Sequence, residues 1–413
     1  MTGSTTPAPA LRRTLGLPLL TLYGLGTTIG GGIYVLIGSV AERAGLFALV
    51  SFMIAAVLIG FTALSYAELS SRFPVSGGSA VFVSRGFGRE RLGLVVGILV
   101  VIAAIITASV LARGFASYLQ VLLDVPTWIS ILCVLVVIGL LAAWGIGESV
   151  VAASIVTILE IAGLMIVIWA GSDAFSDFPY RWDAFVPPPN WHAWAGIMGG
   201  TIIAFFAFIG FEDMVNVAEE VKDAERVLPC AIVVTLTLTT VLYLAVAYVT
   251  LATVPLDVLS RSEAPLSLVA GEHSHRLAEL LAFIGTLAVL NGALIQIIMA
   301  ARVLYGMSRQ GWIHNRLGRV YARTQTPLAA TALVTVAIAL LALSFPVDIL
   351  ATLTSLMVLL IGALVNGALL HMKMTAKITD GIRLPKVVPL IGMVSNACFA
   401  ILIVADLLAS NLF

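Results

Sequence analysis

Eleven apolar runs, each close to or above the length that crosses a bilayer, leave this chain few folds to choose from. Read between polar breaks they cover residues 17–40, 46–70, 92–121, 127–144, 149–171, 193–221, 228–253, 277–307, 328–344, 348–371 and 387–409. A helix crosses a hydrocarbon core of about 30 Å with roughly 20 apolar residues, and bonds all its backbone groups internally as it does so. The short alternating strands of an outer-membrane barrel are absent from the pattern. The expected fold class is an all-α integral membrane protein of about eleven transmembrane helices. Composition agrees, with 60% of the 413 residues hydrophobic, 11% charged and a mean hydropathy of +1.09.

Orientation follows from the basic residues. With the N-terminus in the cytoplasm, all but Arg43, Arg113, Arg181, Arg261 and Arg276 of the 22 Lys and Arg residues fall on cytoplasmic segments or helix ends, among them Arg85, Arg89, Arg91, Arg316, Arg319 and Arg323. The positive-inside rule then places Phe413 on the outer side of the cell (inner) membrane. The first apolar run follows Arg12 and Arg13 as a signal peptide would, but its length and the spans after it mark a retained helix. Cys133, Cys230 and Cys398 have no paired spacing and read as small core residues. The net charge is zero, and no nucleic-acid partner, cofactor or metal is expected. Loops 172–192 and 254–276 are outer segments, with Trp182 and Trp191 as interfacial anchors. The segment 72–93 reads either as a solvated basic linker or as a plug on the inner interface.

Two spans are interrupted. In the first, LGTTIGGGIYVLIG puts Gly30, Gly31 and Gly32 in a row; in the sixth, FFAFIGFEDMVNVAEE passes through Gly210 straight into Glu212 and Asp213. Spans one to five and six to ten start in opposite orientations, so matching breaks suggest two inverted five-helix repeats with a transporter's site between them. The organisation expected is a tail at 1–16, repeat one at 17–171, an outer loop at 172–192, repeat two at 193–371, and a loop with the eleventh helix at 372–413.

A broken helix frees N–H groups at the start of its second half and carbonyls at the end of its first. The N–H groups at Gly30, Gly31 and Gly32 suit a carboxylate, and glycine admits it to the backbone. The carbonyls of Phe208, Ile209 and Gly210 suit an ammonium group. A zwitterion meets both demands, which a sugar or an inorganic anion does not. Close helix packing is the alternative use of the three glycines, and capping or gating is the alternative role for Glu212 and Asp213.

Three pieces of the chain, GTTIGGGIY (26–34), FFAFIGFEDMVNVAEEVKDAERVLPCAI (205–232) and VLNGALIQIIMAARVLYGMSRQGW (289–312), resemble the amino acid–polyamine–organocation superfamily, in its bacterial amino acid permease branch. PVSGGSAVFV resembles the family's loop after the second helix, and the similarity runs from about residue 15 to 390. The resemblance implies a five-plus-five inverted-repeat core working by alternating access. It implies the substrate carboxylate at Gly30 to Gly32 and its ammonium at the carbonyls of Ile29 and Phe208 to Gly210. Family members often carry a hydroxyl residue where this chain has Gly31, and many have twelve helices.

Glu160 is the single ionisable residue in the fifth span, midway along it. An ionised side chain there costs on the order of 3 kcal/mol or more, so Glu160 is expected to face protein or water. In several relatives the matching residue in TILEIAGL is a lysine, standing where sodium-coupled relatives hold an ion. A protonatable coupling residue is one reading of Glu160; a cation site, a specificity group for a cationic substrate and a structural hydrogen bond are the others. Asn291 bridges helices or lines the pocket, and Glu68 and Arg302 are gate or structural contacts. No nucleophile with a positioned base appears at membrane depth, so an enzyme is not expected. The expected function is secondary active transport of amino acids, as proton symport, in a monomer or homodimer within the lipid bilayer. Amino acid or amino acid/amine exchange, sodium coupling and a non-transporting sensor are the alternatives.

Overall fold

The computed structural model describes residues 13–75, 77–144, 150–262, 264–309, 311–321, 324, 326–375 and 381–409. Residues 1–12 of the expected tail, Arg323 and Phe413 lie outside them.

Every apolar run is helical. The first span consists of α1 (Leu17–Ile29) and α2 (Gly32–Ala44), and the second of α3 (Ala48–Arg72). After α4 (Gly78–Phe87) come α5 (Glu90–Leu122), α6 (Thr127–Trp144) and α7 (Val150–Ala170). Helix α8 (Asp173–Arg181) lies in the next loop, and the sixth span is α9 (Trp191–Ala207) continued by a 3₁₀ helix, Phe211–Glu220. The seventh is α10 (Ala224–Thr253); α11 (Leu256–Leu259) and α12 (Pro265–Gly271) precede α13 (His275–Arg309), α14 (Leu328–Ser344), α15 (Val347–Thr375) and α16 (Val387–Ala409). Among the described residues, eight stretches are long and apolar enough to cross a membrane, and the first, Leu17–Arg72, holds two spans. Ser154–Ala170 and Leu328–Ser344 are shorter apolar helices.

Helices at equivalent places in the two halves pack on each other, α3 on α10 and α5 on α13, as a pseudo-two-fold axis between inverted repeats requires. Helix α2 lies along α9 beside that axis. The break in each half is thereby brought against the break in the other. Large apolar side chains such as Val136, Leu140, Ile401 and Leu408 point outward, and Trp128, Trp144 and Trp191 stand exposed at helix ends, where interfacial anchors belong.

Two sequence expectations change, and a third is narrowed. The cysteines are exposed on the outside of the bundle, not in the core, because a surface that meets lipid makes no demand for polar residues. Of the two readings of segment 72–93, the solvated linker does not hold: α4 is half buried against α5 and α15 and lines the large cavity described below. The second half of the sixth span is a ten-residue 3₁₀ helix where a half α-helix was expected, and runs of that length are uncommon outside hinges.

Candidate functional site

Helix α1 closes its last turn with the Gly30 amide donating to the Gly26 carbonyl at 3.1 Å. Gly30 then takes φ 31°, in the left-handed region, and α2 restarts at Gly32. The amides of Gly31 and Gly32 and of the next two residues, Ile33 and Tyr34, have no backbone partner among the described residues. Three glycines were expected to offer their amides, and Gly30 does not, because its N–H completes the preceding helix.

The sixth span breaks at Phe208 to Gly210, with Gly210 at φ 125°. The carbonyls of Phe208 and Ile209 accept no hydrogen bond among the described residues. Gly210 differs, since its carbonyl accepts from Thr27 Oγ1 at 3.0 Å and from the Asp213 amide at 3.0 Å. A methyl group on Gly210 would run into the Thr27 carbonyl, so the two breaks touch backbone to backbone. Gly32 is also tight, with Ala207 Cα 2.8 Å from where its Cβ would stand.

The acidic pair has two different roles. Glu212 Oε2 accepts from the Gly210 amide at 2.9 Å, which satisfies a donor that the break would otherwise orphan. Asp213 is buried, and its Oδ2 accepts from Gln296 Nε2 of α13 at 3.2 Å. Neither carboxylate has a basic partner among the described residues.

A cavity of about 20 Å³, room for one water, lies against Gly30 to Gly32, Thr28 and Gly292. Thr107, Ile209, Ile295 and Gln296 line both this cavity and one of about 890 Å³. The larger space reaches past Glu212, Asp213 and Tyr66 to Arg85, Glu90 and Trp312, at the end of the bundle where α3 stops and α5 begins. Toward the opposite end, Leu111 and Val289 press on Gly31. The larger space thus opens from the α4 end inward as far as the paired breaks. At that end Thr14 and Leu15 donate to the Glu220 carbonyl and Lys222 donates to the Leu15 carbonyl, which straps the start of the chain to the end of the 3₁₀ helix.

Glu160 lines neither cavity. It is fully buried on α7, its carbonyl accepts from the Tyr34 hydroxyl at 2.6 Å, and its carboxyl group faces the side-chain amide of Asn291 on α13. Thr157, one turn before Glu160, packs on Gly26, so the carboxyl group stands beside α1 just before its break. Glu68 is structural: it pairs with Arg72 and with Lys373 Nζ at 2.6 Å and accepts from the Leu384 amide at 3.0 Å, fixing the loop between α15 and α16 to α3.

The family profile described as "Amino acid permease" matches residues 15–412. The chain belongs to the amino acid permease family. It is 33% identical over 373 residues to cationic amino acid transporter 2, vacuolar, of Arabidopsis thaliana, across 85% of this chain and 58% of that protein. It is 29% identical over 398 residues to the branched-chain amino acid permease BcaP of Bacillus subtilis (strain 168), across 90% of this chain and 83% of that one. The chain thus spans little more than half the length of the plant relative and most of the bacterial one. A solved structure of MhsT in complex with L-phenylalanine superposes with a TM-score of 0.67 at 14% identity, covering 96% of this chain and 99% of that one, which shows a shared fold. The permease is a multi-pass membrane protein with the inverted-repeat transporter fold.

Three permease residues at the breaks were not singled out in the sequence: Thr27, Tyr243 and Gln296. The Tyr243 hydroxyl of α10 stands 2.8 Å from the Ala207 carbonyl, 3.0 Å from that of Thr28 and 3.5 Å from that of Ile29. Gln296 carried a readable signal, as the second lone amide of the eighth span. Thr27 and Tyr243 did not, since hydroxyls are common in membrane helices.

Proposed function

We propose that this permease carries an α-amino acid by alternating access, with the substrate carboxylate on the amides of Gly31 and Gly32 and its ammonium on the carbonyls of Phe208 and Ile209. Unbonded donors at one break opposite unbonded acceptors at the other carry this reading, since burying either set without a partner costs roughly 1–3 kcal/mol per group. Ile29 contributes less to the ammonium than expected because Tyr243 stands over its carbonyl. With the N-terminus in the cytoplasm, the 890 Å³ cavity is the inward-facing vestibule. Glu160, buried beside α1 with the Asn291 amide facing it and no basic partner among the described residues, is the proton-coupling residue: it changes charge as the helix next to it changes position. Exchange is the alternative mode.

The direct test is uptake of labelled L-amino acids into sodium-free proteoliposomes with an alkaline interior. Accumulation that a protonophore collapses supports proton symport. Equilibration only against an amino acid loaded inside supports exchange, and no amino acid flux in either format refutes the assignment.

A finer reading concerns the side chain. Asp213 and Glu212 line the vestibule with no basic partner, and two such carboxylates in a low-dielectric space favour a substrate with a positively charged side chain. Among the relatives, the Arabidopsis protein is named for cationic amino acids and BcaP for branched-chain ones. Competition of uptake by L-arginine and L-lysine against L-leucine and L-isoleucine separates the two.

A further inference from the structure

The large cavity does not stay within the two repeats. Between α3 and α15 it passes Ile59, Thr62 and Gly362 and reaches Asn396 of α16, in the eleventh span. The sequence places Asn396 there through a pattern that occurs twice, GALVN (362–366) on α15 and GMVSN (392–396) on α16, each with a glycine one turn before an asparagine. The two helices run antiparallel, so each asparagine lies over the other helix's glycine, and a methyl group on Gly362 or Gly392 would run into the facing amide. Both amides then donate to one hydroxyl of α3, that of Thr62, Asn366 Nδ2 at 3.0 Å and Asn396 Nδ2 at 2.9 Å.

The two asparagines differ in what is left over. Asn366 is spent at both ends: its Oδ1 accepts from Ser65 Oγ at 2.6 Å and its Nδ2 also donates to the Gly362 carbonyl at 2.8 Å. Asn396 is 1% exposed and lines the cavity, and its Oδ1 has no hydrogen-bond partner. A buried amide oxygen without a donor carries a penalty that a ligand bearing N–H groups removes. Among the described residues, five Asp and Glu side chains line the cavity against the guanidinium groups of Arg85 and Arg302, so a cationic donor is the one this space concentrates.

We propose that Asn396 is a binding site for a primary ammonium group in the side wall of the cavity, separate from the paired breaks, with the Thr62 hydroxyl holding its amide in position. The ammonium belongs either to an amino acid on its way to the breaks or to a free amine. Only the first source rests on the function proposed above; the site itself does not.

The probes are n-butylammonium chloride and n-butyltrimethylammonium chloride, which share a chain and a charge but differ in N–H groups. Thermal unfolding of the purified full chain in detergent is followed in each at constant ionic strength. Wild type is expected to melt higher in butylammonium than in the methylated ion, saturably, by about 1–2 °C at a tenfold excess over half-saturation. Asn396→Leu, close in size, should raise the half-saturating concentration at least tenfold. Asn366→Leu breaks the same clamp from the other helix and should melt lower than wild type while keeping the wild-type difference between the two ions. Any of three results overturns the proposal: no difference between the ions in wild type, a wild-type difference in Asn396→Leu, or an equal loss in both variants, which would leave the asparagines a structural clamp. If a leucine variant does not fold, alanine at that position takes its place under the same criteria. L-leucine in the same assay tells the sources apart, since a half-saturation raised by Asn396→Leu assigns the site to amino acids, and an unchanged value or no binding assigns it to free amines. The butylammonium comparison involves neither flux nor a carboxylate, so its failure leaves amino acid transport to the uptake test, and failed uptake leaves the comparison standing.

Discussion

Replacing Gly210 with alanine should disable the permease by forcing its two helix breaks apart. The backbone there sits at φ 125°, which an L-residue adopts at a cost on the order of 1–3 kcal/mol. The added methyl meets the carbonyl of Thr27, which is backbone and cannot rotate away, so relief requires α1 to withdraw. Withdrawal breaks the 3.0 Å bond from Thr27 Oγ1 to the Gly210 carbonyl, worth about 1 kcal/mol. Together these give about 2–4 kcal/mol against the paired arrangement. If the substrate is held by both breaks at once, its apparent affinity falls by the fraction of molecules still paired, by up to roughly 30- to 700-fold.

The assay is concentration-dependent uptake into proteoliposomes together with a melting curve of the same preparation. Thr27→Ala removes the hydrogen bond without the methyl and should cost about fivefold in apparent affinity. Placed on Gly210→Ala it should add almost nothing, because the bond is already lost. Gly60→Ala is the control: nothing lies within 4 Å of its added methyl, and on helix propensity it should leave uptake intact and stability equal or slightly raised. Wild-type affinity and melting in Gly210→Ala would refute the contact between breaks as the determinant of the site.

Three further outcomes are expected. Glu160→Gln, close in shape but unable to change charge, should still bind substrate while losing accumulation driven by a pH gradient; undiminished pH-driven accumulation removes the coupling role. Asp213→Asn should weaken competition by L-arginine and L-lysine at least tenfold while altering competition by L-leucine little, and an equal loss for both classes would make Asp213 a structural partner of Gln296 only. Glu68→Gln should lower stability by about 3–5 kcal/mol, since Arg72 and Lys373 are left buried without their anion, and melting that is unchanged would contradict the pairing.

The sequence made the spans legible because lipid imposes one rule on every residue of a crossing helix, and it made the breaks legible because Gly30 to Gly32 and Gly210 violate that rule. The 3₁₀ form of Phe211–Glu220 was hidden: Glu212 and Asp213 read as caps of an α-helix, whereas Glu212 caps a 3₁₀ helix through the Gly210 amide and Asp213 bonds Gln296 instead. The expectation that Gly30 gives an amide failed for a local reason, the extra turn closed on Gly26. The exposed cysteines failed for a solvent reason, since hydropathy does not distinguish a side chain facing lipid from one facing the core.

What stayed unreadable is the cross-linking of the halves. Thr27 and Gly210 stand 183 positions apart, and Tyr243 lies 215 positions from Thr28, so no local pattern relates them. Yet these are the contacts that give each break a shape. A glycine-rich interruption by itself would fray, because Gly30 and Gly210 have the widest conformational choice of any residue. The Thr27 hydroxyl fixes one side of the junction from α1 and the Tyr243 hydroxyl fixes the other from α10. Between them they leave unbonded the amides of Gly31 and Gly32 and the carbonyls of Phe208 and Ile209, the groups proposed above to hold a zwitterion. Specific binding at a helix break thus depends on the hydroxyls that hold the break in shape as much as on the glycines that open it.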